Sequence, residues 1–335
     1  MHLSKWTDKV KQSSKRLIFR SDSTEDAKSS EHQSFAKFLE AAYSSATRIA
    51  YKREVGYFIR WGGSIPATPE TIATYLAEHA GLLASTTLSK KLAALHRAHV
   101  TLGYESPVRT DLVRNTLRGI SRIHFRKVRR VKPLLKKHLE AIFFRHIHGV
   151  QGVRDRALLL LGFLGGFRRS ELTNLNVEDM SFSDSGMVVR LNYSKTDQQG
   201  EGRDVPIPML DNHLCAVKAV RDWLEASGIS HGAIFREVDR FGAIGTSKLT
   251  NGMVARIIKK YIKKIGIDPG EYSGHSLRAG LVTSAAIAGA AEWQIRKQTG
   301  HKSNEMVGRY IRPSEMFSDN VATMIANFSA SKWSK

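Results

Sequence analysis

The chain has 335 residues, 41% of them hydrophobic, and a formal charge of +21 from 52 Lys and Arg against 31 Asp and Glu. It exceeds the roughly 250 to 300 residues at which single cores split, so two domains are expected, and its charge attracts polyanions without dictating a target sequence. The one cysteine, Cys215, rules out an intramolecular disulfide and a cysteine-cluster metal site, and the apolar run Ala157 to Phe167 is far short of the roughly 20 residues that cross a bilayer.

Residues 1–30 are polar, rich in Lys, Ser and Asp, and show no sustained apolar period. They read as a flexible basic arm, and Met1-His2-Leu3-Ser4-Lys5-Trp6 has no signal-peptide core, so a soluble, cytoplasmic protein is expected. From 31 to 127 the pattern is helical. Phe35, Phe38, Leu39 and Ala42 make one apolar face, and Ile49, Tyr57, Phe58 and Trp61 help to make the next. Thr68-Pro69-Glu70 starts a helix with a cap residue and Pro at the first helical position. Another starts at Ser85-Thr86, with Leu88, Leu92, Leu95 and Leu102 on its core side and Arg48, Lys52, Lys90, Lys91 and Arg97 on the opposite faces of these helices.

Charge is densest at Arg126, Lys127, Arg129, Arg130 and Lys132, before Pro133, as in a linker that crosses a phosphate backbone; the boundary is placed at 128–134. Leu139 to His148 and Arg154 to Gly165 read as helices, and Cys215 falls in an apolar helical pattern that makes it a core residue. Met187 to Tyr193 and Arg203 to Pro208 are β-rich runs around a polar loop, a hairpin with Lys195 at its turn. Asn251 to Ile265 is amphipathic, with Val254, Ile257, Ile258, Tyr261 and Ile265 on one face and Arg256, Lys259, Lys260 and Lys263 opposite, a basic face able to enter a major groove.

The most informative stretch is Gly274-His275-Ser276-Leu277-Arg278, then Gly300-His301, then Tyr310. An arginine offers a planar charged fork to two non-bridging phosphate oxygens. On a helix, His275 and Arg278 share a face. The nine residues from His301 to Tyr310 are enough to leave a helix, turn, and bring a hydroxyl back to one pocket. A phenol is a poor nucleophile until a base or cationic surroundings help it lose its proton.

With Gly165-Gly166-Phe167-Arg168-Arg169-Ser170-Glu171-Leu172 and the Lys195-Thr196 pair upstream, this ordered set resembles the tyrosine recombinase (phage integrase) family over most of residues 31 to 327. Tyr272 to Arg278 and Tyr310-Ile311-Arg312 look most like Cre-like members, although His301 stands where Cre carries tryptophan. The resemblance implies a mainly α fold with a small β-sheet: a helical core-binding (SAM-like) DNA-binding domain at 31–127, a linker at 128–134, and a mixed α/β catalytic domain at 135–313, together forming a clamp around DNA. The apolar residues Met316, Val321, Met324 and Ile325 in segment 314–335 would dock on a neighbouring protomer.

The implied chemistry is strand transesterification. Tyr310 is the nucleophile, Arg168 and Arg278 stabilise the transition state, and His275 is the base. Lys195 is the acid, His301 donates to the phosphate, and Glu171 orients the cluster. The implied partner is double-stranded DNA carrying inverted-repeat sites, bound by a dimer per site and a tetramer in the synapse, in the nucleoid of a prokaryote. Bond energy is conserved, so neither cofactor nor metal is expected. Type IB topoisomerase chemistry, an inactive DNA-binding regulator, and a metal nuclease built on His275 and His301 remain as alternatives.

Overall fold

In a computed structural model, the described residues are 44–126, 131–192 and 202–301, with positions 303, 305, 308 and 325. Outside them lie the arm, the expected face from Phe35 to Ala42, Lys127, Arg129 and Arg130, Lys195, Tyr310 and, apart from Ile325, the segment that follows it. The chain divides into two compact units, Met1–Val128 and Arg129–Lys335.

The first unit holds four α-helices among its described residues: α1 (Ser45–Trp61), α2 (Pro69–Glu78), α3 (Ser85–Thr101) and α4 (Asp111–Ile123). Side-chain oxygens stop the first two at their N-termini: Ser44 accepts from the backbone N–H of Thr47, and Thr68 accepts from that of Thr71, with Pro69 at the first helical position. Phe58, Ile72, Tyr75, Leu76, Leu88, Leu92, Leu95 and Val113 close around one another as the core. Each such side chain stabilises the fold by roughly 1.5–3 kcal/mol on burial.

Two sequence expectations are corrected here. Ile49 and Tyr57 are exposed, and the inward stripe of α1 runs instead through Val55 and Phe58 with Tyr51 half-buried. At about 100° per residue, Ile49 lies half a turn round the axis from Phe58, so the two cannot share a face. Lys91 does not belong with the solvent-facing cations: it is buried, its ammonium donates to Glu54 at 2.9 Å, and it lies over the rings of Tyr57 and Tyr75. Arg48, Lys52 and Lys90 stay exposed and Arg97 half-buried. Leu102 caps the C-terminus of α3 and is half-buried.

The second unit is built around α6 (Gly149–Leu164), preceded by α5 (Lys136–Arg145) and followed by the short α7 (Arg169–Asn174). Both α5 and α6 begin earlier than apolar periodicity suggested, α5 because its first turn is the polar Lys136-Lys137-His138, and α5 ends at Arg145, short of the expected His148. Ala157 to Leu161 is buried on every side, so α6 has no solvated face along that stretch. A three-stranded antiparallel sheet, β1 (Met180–Phe182), β2 (Gly186–Leu191) and β3 (Arg203–Pro208), packs against this core. Met187 pairs with Ile207 and Val189 with Val205 on its buried face, while Arg190 meets Asp204 at 3.2 Å on the outer one. The helix α8 (Ala216–Ser227) starts from the buried Cys215 and seats Trp223 in the interior, where the indole N–H donates to Ile234 O.

After a hairpin of β4 (Arg236–Val238) and β5 (Ile244–Lys248) comes α9 (Asn251–Lys264), whose Val254, Ile257, Ile258 and Tyr261 are buried as expected. Its polar face is less uniform than the sequence implied. Arg256, Lys259 and Lys263 are exposed, but Lys260 is half-buried and donates to Gln151 at 2.7 Å and to the fully buried Asp155 at 3.3 Å. Asp155 also accepts from Arg154 and from the Tyr261 hydroxyl, which fastens α9 to α6 and withdraws Lys260 from the groove-facing set. Next come α10 (Ser276–Ile287) and α11 (Glu292–Thr299), and among the described residues no helix is long and apolar enough to cross a membrane.

Candidate active site

The site grows from two helix starts and one helix end. Arg168 is the N-cap residue of α7, and Glu171 is the third residue of that helix. One carboxylate oxygen of Glu171 accepts from the Arg168 backbone N–H at 2.8 Å and the other from its guanidinium at 2.5 Å. A carboxylate at a helix N-terminus satisfies an orphan donor and suits the local dipole. Here it also fixes the direction of the arginine. The glycines before Arg168 serve the same corner. Gly166 has φ +59°, and a Cβ there would come within 2.7 Å of Leu281.

Arg278 lies in the first turn of α10 and is buried. Its Nη1 donates to two main-chain carbonyls, Gly166 O and Thr299 O, each at 2.6 Å, and its Nε donates to His301 Nε2 at 3.3 Å. His301 reaches this position because α11 ends on Gly300 in the left-handed region, φ 67°, with its N–H closing on Arg296 O. A Cβ at position 300 would sit 2.9 Å from the Arg203 guanidinium, so the glycine of the Gly-His pair is required by both backbone and space.

His275 precedes α10 as its N-cap and is exposed, whereas Arg278 is buried. His275 has helical dihedrals and its carbonyl accepts from the Ala279 N–H, so it stands three residues before Arg278 at the same helix start, the one open to solvent and the other enclosed. Lys195 and Tyr310 lie outside the described residues, but the flanks of their segments do not. Leu191 pairs with Arg203 at the end of the hairpin ladder from which the Lys195 loop departs, and Tyr310 follows His301 by nine residues.

Arg203 was not anticipated from the sequence. From the start of β3 it donates to Gln298 O at 2.9 Å and stands 3.9 Å from Glu171. Burial lowers its affinity for the proton, Glu171 opposes that, and Arg168 adds to it. The only signal in the chain was an arginine opening the strand after the Lys195 loop.

His301 is thus enclosed by cations. Burial first, then the charges of Arg278, Arg168 and Arg203, push its pKa down from 6.5 to about 3, so it is neutral at pH 7. A histidine whose folded pKa is depressed gives stability that is full above its unfolded pKa and is lost as pH falls toward the folded one, because the unfolded chain binds the proton first. Melting temperatures taken from pH 7 down to pH 4 should therefore fall more steeply for the wild type than for His301→Gln. Equal slopes would mean that His301 does not titrate in this way.

Residues 132–316, more than half of the chain, match the model of the Phage integrase family. An integrase/recombinase described as a XerD homolog from Selenomonas ruminantium is 35% identical over 300 residues, covering 86% of this chain and 88% of that one. A lambda integrase (75–356) dimer bound to a COC' core site superposes with a TM-score of 0.57 at 19% identity, over 83% of this chain and 93% of its own. A lambda integrase tetramer bound to a Holliday junction gives 0.55 at 17% identity, over 91% and 76%. At such identities these two structures speak for the fold, while the family model and the XerD homolog speak for descent: this chain belongs to the phage integrase family.

Proposed function

We propose that this protein is a site-specific DNA recombinase that cuts and rejoins strands through a 3′-phosphotyrosyl intermediate. The observation that carries the reading is the cluster of Arg168, Arg278 and Arg203 around His301, drawn from separate elements and held by carbonyls and a carboxylate of the protein itself. Preorganised charge of this kind favours a transition state with extra negative charge on phosphate oxygens. Tyr310 attacks the scissile phosphate and displaces a 5′-hydroxyl; the 5′-hydroxyl of a partner strand then attacks the phosphotyrosine and frees the phenol. Each ester bond broken is matched by one formed, so no nucleotide is consumed.

His275, exposed at its helix start, takes the phenolic proton, and Lys195 returns one to the leaving 5′-oxygen. A bound phosphodiester offsets the guanidinium charges around His301, so the imidazole can exchange its Nε2 contact with Arg278 for a proton at that atom and donate it to a phosphate oxygen. Arg48, Lys52, Lys90, Arg97, Arg126 and Lys132 in the N-terminal half, with Arg256, Lys259 and Lys263 on α9, are the cations offered to the DNA backbone and groove. The enzyme works on double-stranded DNA with inverted-repeat sites, as a dimer per site and a tetramer in the synapse, in the cytoplasm at the nucleoid.

The test is to recover DNA covalently attached to the protein under denaturing conditions, with chelator present and no nucleotide, and to sequence it. A short inverted-repeat consensus joined through its 3′-phosphate is expected. Absence of any adduct, with sequence-specific binding intact, would leave a DNA-binding regulator.

The segment from Ser314 onward is assigned to docking on a neighbouring protomer. Its deletion should leave half-site binding within about twofold, whereas cooperative filling of full sites drops by roughly tenfold or more, the equivalent of about 1.4 kcal/mol of lost contact. A gel-shift titration on half-sites and full sites separates the two. Undiminished cooperativity would remove the segment from the assembly.

A further inference from the structure

Thr299 is fully buried as the last residue of α11, and its hydroxyl oxygen has two close neighbours: Ile295 O at 2.6 Å and His301 Nδ1 at 2.7 Å. A carbonyl oxygen has no proton to give, so the single hydroxyl proton lies toward Ile295, and a lone pair is what Thr299 turns to His301. His301 Nδ1 must then carry a hydrogen. A neutral imidazole has one such hydrogen, which leaves Nε2 as an acceptor, and that is the atom facing the permanently protonated Nε of Arg278 at 3.3 Å. The donors run one way along the chain, from Arg278 to His301 to Thr299 to Ile295. The other tautomer would set two N–H groups against each other at Arg278 and two lone pairs against each other at Thr299.

We propose that Thr299 is a positioning residue, whose hydroxyl fixes His301 as the Nδ1-protonated tautomer and thereby makes Nε2 the acceptor that holds the Arg278 guanidinium. Its value to catalysis rests on the reading of Arg278 as the group that meets the phosphate. Thr299 acts on that arginine twice, through His301 and through its own carbonyl, which accepts from Nη1 at 2.6 Å. Arg278 is therefore aimed before DNA arrives.

The tautomer is read directly in the DNA-free protein, by long-range proton–nitrogen spectra of [15N]histidine-labelled samples, with His301→Gln used to assign the His301 signals. Wild type should show a protonated Nδ1 and a bare Nε2. Thr299→Val, close in shape but without the hydroxyl, should lose that pattern and cleave strands roughly tenfold more slowly or worse at unchanged DNA affinity, a change of about 1.4 kcal/mol in the barrier. Thr299→Ser should restore both the pattern and most of the rate.

A wild-type His301 protonated on Nε2 overturns the proposal outright, whatever the variants do. So does a folded Thr299→Val protein that keeps the wild-type tautomer and the wild-type rate. If the valine variant does not fold, the wild-type spectrum together with the serine variant's rate still decides. A wild type that shows the expected tautomer yet forms no covalent adduct contradicts the recombinase reading and leaves the hydrogen-bond assignment standing, so the two failures are distinct.

Discussion

Tyr310→Phe should bind its DNA site within about twofold of wild type and form no covalent adduct at all. The substitution removes one oxygen atom, and that oxygen is the only atom of the side chain able to become a phosphodiester ester oxygen. Among the described residues, Arg168 is aimed by Glu171, and Arg278 by Gly166, Thr299 and His301. Binding and chemistry should therefore separate cleanly, in a gel shift for the first and a denaturing gel for the second. An adduct that persists in the variant would move the nucleophile to another residue.

Arg278→Lys should cost roughly a hundredfold to a thousandfold in the rate of strand cleavage, the size of loss seen when one preorganised donor to a developing oxyanion is removed. Lysine is the more telling replacement. Alanine would leave Gly166 O and Thr299 O without the donor they now share, at about 1–3 kcal/mol for each buried acceptor, and would confound catalysis with folding. A lysine ammonium can still donate to those carbonyls. It cannot present a planar fork with further N–H groups in fixed directions to a phosphate. Melting temperature should thus change little while single-turnover cleavage collapses. Cleavage retained within threefold would show that the guanidinium is a scaffold and not a phosphate ligand.

Both predictions concern residues legible in the chain, and the reason is chemical. Arg-x-x-Glu after a pair of glycines, His-x-x-Arg after another glycine and Gly-His before a tyrosine are local patterns in which backbone demand and side-chain chemistry fall within a few residues. Gly300 shows why: one residue must both end α11 in a left-handed conformation and leave room for Arg203, and only glycine does so. The helices with caps or sustained periodicity, such as the one opened by Thr68-Pro69 and the amphipathic α9, were legible for the same reason.

What the tertiary structure decided is which charges face water and which face the protein. Lys90 and Lys91 are neighbours of one type, yet Lys90 is exposed and Lys91 is buried against Glu54, a partner 37 residues away on another helix. Lys260 sits among the cations of α9, but Asp155 and Gln151, more than a hundred residues distant, hold its ammonium. Arg203 joins the site only because the β2–β3 register carries it to Glu171, and Arg278 is held by the carbonyl of Gly166, which packing brings from 112 residues away. Local sequence determines which groups a helix or turn can present; the long-range packing of other elements determines what each group meets, and the proton positions on which the chemistry depends follow from that.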